Sequence, residues 1–169
     1  GGFIMREMLG SPCRINELAI RNRVVFEAVG NGLSELNGDV SQKEIAFYTE
    51  RAKGGVGLIM TEAVPVDSVT RRAKPRDLCI DRGDQIAGYQ ALADAVHAYD
   101  TKSFVELYHP GRQGSSQLNG GREMFAPSAI ECSAVHEPVV EMTAADIQYM
   151  VRKYVDGAIR RQKAGRTVC

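Results

Sequence analysis

Tryptophan is missing from the 169 residues, and so is any surplus of charge: 21 lysines and arginines face 21 aspartates and glutamates. A chain with no net charge has neither the basic field that draws nucleic acid nor the polybasic segment that holds an anionic membrane, so neither partner is expected. No apolar run approaches the roughly 20 residues that a membrane-spanning helix needs. The opening GGFIMREML has neither the basic start nor the long apolar stretch of a secretory signal. The four cysteines, Cys13, Cys79, Cys132 and Cys169, form no CxxC pair and no zinc-spaced cluster with histidine. They are expected to be reduced thiols in a cytoplasmic chain that holds no metal. A G-x-G-x-x-G loop is also absent after the first apolar run, so a dinucleotide-binding domain is not expected.

What is present suits a folded chain with one core, residues 1–169 as a single domain: 44% hydrophobic and 25% charged residues. Residues Arg14 to Ile20 read as a hairpin turning at Asn16-Glu17. Arg23 to Val29, rich in β-branched and aromatic side chains, reads as a strand closed by Gly30-Asn31-Gly32. Ser41 and Glu44 have capping-box spacing, in which each side chain satisfies the other's backbone N–H. Ile45, Tyr48 and Ala52 continue the helix, and Gly54-Gly55 stops it.

The run Val56 to Thr61 is nearly all apolar, as a buried parallel strand is. The pattern then repeats. A helix opens at Asp84 with Ile86, Tyr89, Leu92 and Val96 on one face, and a strand follows at Ser103–Tyr108. A Gly/Ser-rich connection from Pro110 to about Val140 shows little periodicity. Thr143 to Asp146 caps a third helix, with Ile147, Val151, Tyr154, Val155 and Ala158 on its apolar side and Gly165 at its end.

Alternating strands and helices make an α/β fold with parallel strands joined by right-handed crossovers. An open doubly wound sheet and a closed eightfold barrel both satisfy the alternation. Length alone favours the open sheet, since such a barrel takes about 250 residues.

The order of motifs is more specific. Asn22-Arg23-Val24-Val25 comes first, then Tyr48-x-x-Arg51-Ala52-Lys53-Gly54-Gly55-Val56-Gly57-Leu58-Ile59 and Thr61-Glu62-Ala63. Leu107-Tyr108-His109-Pro110-Gly111-Arg112, Ala126-Pro127-Ser128-Ala129 and Glu141-Met142-Thr143 follow. From about Leu9 to Gly165 the chain resembles the old yellow enzyme family, in its bacterial branch of NADH:flavin oxidoreductases and 2,4-dienoyl-CoA reductases. The resemblance implies a partial TIM-type β/α barrel: about three β/α units behind an N-terminal hairpin, stopping before the fourth strand. It implies FMN at the mouth, reduced by NAD(P)H, with hydride passed to a small-molecule acceptor such as an activated alkene.

Position by position, the resemblance places Ala28, Val29 and Gly30 at the end of the first strand against the flavin. It places Ala63 against the ring from the second strand, and Glu106 where the family has a Gln bonding the pyrimidine side. Gly30 has only backbone to offer where members often tune the flavin with a side chain. Glu106 departs further, because a carboxylate only accepts hydrogen bonds unless protonated and repels an anionic reduced flavin unless burial neutralises it. Glu27 stands where small residues are common.

The family's substrate-orienting His pair, its Tyr, its flavin Arg and its phosphate loops are expected beyond Cys169. No catalytic residue is therefore assigned, and the polypeptide alone is expected to bind FMN weakly or not at all. Open sheet edges make pairing of copies an expectation. Two other readings remain: a non-catalytic half-barrel or association module, and a metal-assisted lyase or hydrolase using Glu27, Glu62 and Glu106. His109 reads equally as a cofactor-edge or a loop-structuring residue. Arg112 is expected to pair with loop carboxylates, and His97 and His136 to lie on the surface.

Overall fold

The computed structural model describes residues 7–67 and 73–165. Strands β1 (Cys13–Ile15) and β2 (Leu18–Ile20) form the expected antiparallel hairpin, with Cys13 opposite Ile20. Its turn uses Asn16 at a φ of 50°, a left-handed conformation that asparagine tolerates better than most residues.

Three parallel strands follow in the spatial order β3 (Val25–Phe26), β4 (Leu58–Pro65), β5 (Lys102–Tyr108). Helix α1 (Gln42–Lys53) joins the first pair, and α2 (Ile86–His97), entered through a 3-10 turn at Gly83–Gln85, joins the second. Helix α3 (Ala144–Lys163) follows β5. Strand β3 pairs only through Phe26, so Glu27 to Val29 leave the ladder where the sequence predicts strand. Within the long connection, β6 (Met124–Ala126) and β7 (Val139–Glu141) form a short parallel pair that the sequence pattern does not show.

Strand β4 carries one extra residue. Met60 lies opposite Phe104 and Ala63 opposite Glu106, so three steps along β4 match two along β5. This bulge resets the alternation. Ile59 and Val64, an odd number of residues apart, both pack toward the helices, while Met60 and Ala63 share the open face of the sheet.

Between sheet and helices lie two apolar clusters. One holds Tyr48, Ala52, Ile59, Leu92 and Val96, edged by the T-shaped ring pairs Phe26–Phe47, Phe26–Tyr48 and Phe47–Tyr48. The other holds Val64, Val66, Leu78, Ile80, Tyr89, Val105 and Met150. Tyr89, Leu92 and Val96 point inward as their spacing predicts.

Two helix readings need correction. Ser41 caps α1, its hydroxyl accepting from Glu44 N at 3.0 Å, but the Glu44 side chain turns away to Asn31 instead of back to Ser41. The helix ends at Gly54 in right-handed conformation, and Gly55 takes the left-handed one (φ 96°). On α3, Thr143 and Asp146 do form the reciprocal box. The buried face, however, is Met150, Gly157 and Arg161, whereas Ile147, Val151 and Val155 are 50%, 57% and 52% exposed. Gly157 is what lets α3 settle: a Cβ there would lie 3.2 Å from Val66 Cγ1 and 3.3 Å from Ile80 Cγ2. Apolar spacing alone points to the wrong face, because the contact is made by the residue with no side chain.

Candidate functional site

Parallel strands bring their C-terminal ends to one side of a sheet, and the loops that follow build a site there. Ala63 of β4 and Glu106 of β5 are direct register partners on the open face. Ala63 is half-buried and Glu106 exposed, so no burial neutralises this carboxylate. Past the end of the β3 ladder, Ala28 is half-buried, and Val29 and Gly30 are exposed. A Cβ built on Gly30 would meet only Lys74 Nζ at 3.5 Å and Glu62 Oε2 at 3.8 Å. The ammonium of Lys74 thus stands over the position that glycine leaves bare, and Lys74, with Gly32, Pro75 and Arg76, lines a cavity of about 390 Å³.

Behind this edge is a buried polar network that the sequence reading does not contain. Asn31 N donates to Glu62 Oε2 at 2.9 Å, Asn31 Nδ2 to Glu44 Oε1 at 2.6 Å, and Asn31 Oδ1 accepts from Leu33 N at 2.8 Å. Glu62 Oε1 accepts from Leu78 N at 3.1 Å, and Glu62 N donates to the Tyr48 hydroxyl at 2.9 Å. Glu44, Tyr48 and Glu62 are essentially closed to solvent. Glu44 Oε2 is buried without a hydrogen-bond partner.

Burial pushes the Glu44 carboxyl up to about 7; the bond from Asn31 opposes this and the charge of Glu62 adds to it. Glu62 is raised as well, by burial first, with the N–H groups of Asn31 and Leu78 pulling the other way. The only advance sign of the network is the Ser41–Glu44 spacing, which assigns that side chain to a different bond.

The carboxylates Glu27, Glu62 and Glu106 are differently employed. Glu27 and Glu106 are exposed, and Glu62 has both oxygens on backbone amides. Among the described residues no group of three His, Cys, Asp or Glu side chains is placed to hold a metal ion.

His109 Nδ1 accepts from Gly111 N at 3.3 Å and so shapes the turn that follows it. Arg112 makes no ion pair among the described residues; it lines a cavity of about 470 Å³ with Pro110, Gln113 and Ile130. Among the described residues Cys13, Cys79 and Cys132 form no disulfide, and Cys169 lies outside the described residues. The Cys132 thiol is held below its ordinary range, chiefly by the Ala134 N–H, with the charge of Arg112 a smaller contribution. His136 is exposed as expected; His97 is half-buried against Ser103 instead.

The sequence model of the NADH:flavin oxidoreductase / NADH oxidase family matches residues 8–168. The chain belongs to that family. It is 38% identical over 156 residues to an NADH oxidase of Thermoanaerobacter brockii, covering 92% of this chain and 24% of that protein. Among solved structures, a 2-naphthoyl-CoA reductase in complex with 2-naphthoyl-CoA superposes with a TM-score of 0.88 at 24% identity, over 94% of this chain and 26% of its own. The old yellow enzyme homologue of Zymomonas mobilis gives 0.82 at 23%, over 93% and 46%.

The fold is therefore that of an arc of the old yellow enzyme TIM-type barrel rather than the open sheet that length alone suggests. The chain spans about a quarter of the T. brockii oxidase and under half of the Z. mobilis homologue. Among the described residues no helix is long and apolar enough to cross a membrane.

Proposed function

We propose that the chain forms the flavin-facing first arc of an FMN-dependent NAD(P)H oxidoreductase of the ene-reductase type. Its acceptor class is an activated alkene, including enoyl and dienoyl thioesters. The observation that carries this is the register pairing of Ala63 with Glu106 beside the bare strand end at Ala28–Gly30.

A flat ring system needs a shelf of small side chains with polar groups at its rim, and these residues fit that need. Ala28, Gly30 and Ala63 keep the shelf clear. Beyond Phe26 the backbone of Ala28, Val29 and Gly30 is outside the ladder and available to a ligand. Glu106 accepts from ring N–H groups. Lys74 offsets the negative charge that Glu106 brings to the mouth. FMN, when bound, supplies the hydride relay from nicotinamide to acceptor; the chain's part is to seat the ring and set the charge around it.

Since the chain spans under half of these relatives, its own affinity for FMN is weak and turnover belongs to the longer protein. Titration of FMN against the purified chain is expected to give shallow, saturable quenching of flavin fluorescence and a small rise in thermal midpoint, with no NADH consumption. No response in either signal at saturating FMN refutes the reading and leaves the non-catalytic half-barrel in its place.

A further inference from the structure

The flavin reading leaves the Glu44–Asn31–Glu62 network without a task. Two buried carboxylates on different elements, α1 and β4, meet through one asparagine in the turn that ends the β3 segment. Asn31 spends its backbone N–H on one carboxylate and its amide N–H on the other, so its position is set by both. Every described group that faces Glu44 is neutral or acidic. Ser41 Oγ bonds its backbone N–H, Tyr48 lies on its own helix, Asn31 comes from the turn, Glu62 from β4 and Tyr89 from α2. Beyond Glu62 stand Asp77 and the ammonium of Lys74, the latter over Gly30 and out of contact with Glu44. No described cation compensates Glu44, and its second oxygen is buried with no hydrogen bond.

We infer that Glu44 and Asn31 form a latch on the Gly30–Gly32 turn that a proton on Glu44 loosens. With Glu44 ionised, its Oε1 takes a charge-assisted bond from Asn31 Nδ2 that outweighs the repulsion from Glu62, and Asn31 fixes the end of the β3 segment between both carboxylates. With Glu44 protonated, that bond loses its charge assistance and the turn is held by Glu62 alone. Proton balance is simple: one proton passes between the Glu44 carboxyl and solvent. Glu44 and Asn31 are positioning residues in this account, because they act through Gly30 and Gly32. That the turn faces a flavin rests on the reading above; that it is latched does not.

The test is NMR on the isotope-labelled 169-residue chain between about pH 5 and pH 9. The backbone and side-chain N–H signals of Asn31 and the amide of Gly32 are expected to move together with a midpoint of about 7. In Glu44→Gln, which keeps the side chain neutral at every pH, they are expected to stay at their acid-side positions. Flat Asn31 signals in the wild type, or the same movement in Glu44→Gln, overturn the latch. Should Glu44→Gln fail to fold, the wild-type carboxyl carbon of Glu44 decides, since its midpoint must coincide with that of Asn31 and a separate, lower one is contrary.

FMN added on each side of the midpoint is expected to bind more tightly on the basic side, where the turn is fixed, by about threefold or more. Equal binding on both sides removes the link to the site. FMN binding at neither pH, with the Asn31 titration intact, sinks the flavin reading alone and leaves the latch standing.

Discussion

Arg161, in the last turn of α3, reaches under the sheet and donates from Nη2 to both the carbonyl and the hydroxyl of Ser103, at 2.9 and 2.8 Å. Both residues are buried, and His97 Nε2 lies 3.2 Å from the same hydroxyl. This is how the third helix is fastened to the strand before it. Ser103→Ala removes an acceptor from a buried guanidinium and is expected to cost about 1–3 kcal/mol in chemical denaturation. His97 is held below its ordinary range by burial first and the Arg161 charge second. The unfolded chain therefore binds the extra proton first, and stability falls as pH drops through about 6.5 and below. His97→Gln is expected to flatten that acid-side slope, and a slope unchanged in the variant contradicts the assignment.

Gly157 sits in the tightest part of the α3–sheet contact. Gly157→Leu is expected to destabilise by about 1–3 kcal/mol through overpacking against Val66 and Ile80, despite the better helix propensity of leucine. A thermal midpoint at or above the wild-type value would show that α3 can lift away freely.

Lys74 stands over Gly30 on the exposed side of the mouth. Lys74→Met is expected to weaken FMN binding roughly threefold to tenfold, with the loss shrinking in high salt because the charge is solvated. Coupling Lys74→Met with Glu106→Gln is expected to recover part of it, since the amide removes the repulsion that the ammonium offsets. Additive losses in a double-mutant cycle would count against that pairing.

The flank of α3 carrying Ile147, Val151, Val155 and Ile159 is between 43% and 57% exposed, and β3 and β5 are the two edges of their sheet. Apolar flank and open edges together are expected to drive self-association. Light scattering should show species larger than a monomer, and Val151→Gln with Val155→Gln should shift them toward monomer. Monomer alone in the wild type up to its solubility limit contradicts this.

The parts legible in the sequence were those in which one signal dominates. The β1–β2 hairpin has a turn dipeptide, α1 and α3 have capping residues, and β4 opens on an apolar run just after Gly54-Gly55. The pairing of Ala63 with Glu106 does not follow from strand order alone, because it depends on the register shift after Met60.

The rest was hidden for physical reasons. The run Leu58–Val64 is apolar except for the adjacent Thr61 and Glu62, which do not alternate, so the bulge between Met60 and Ala63 leaves no readable phase in it. The buried face of α3 includes a glycine and an arginine, which no hydrophobic periodicity selects. Strands of three residues inside a Gly/Ser-rich connection are too short to alternate visibly. Asn31 and Lys74 reach the site from loops, so their positions depend on tertiary structure that local patterns do not encode.

The extra residue in β4 also limits how this arc can be rebuilt. A chimera or consensus design that trims Thr61 or Glu62 to restore an even ladder would leave Ala63 and Val64 on their present faces but would remove one of the two adjacent buried side chains that the bulge lets β4 carry. Losing Glu62, or drawing it straight by losing Thr61, would take away its bonds to the Asn31 and Leu78 amides. Residues 61 and 62 must therefore be transplanted as a pair or left alone.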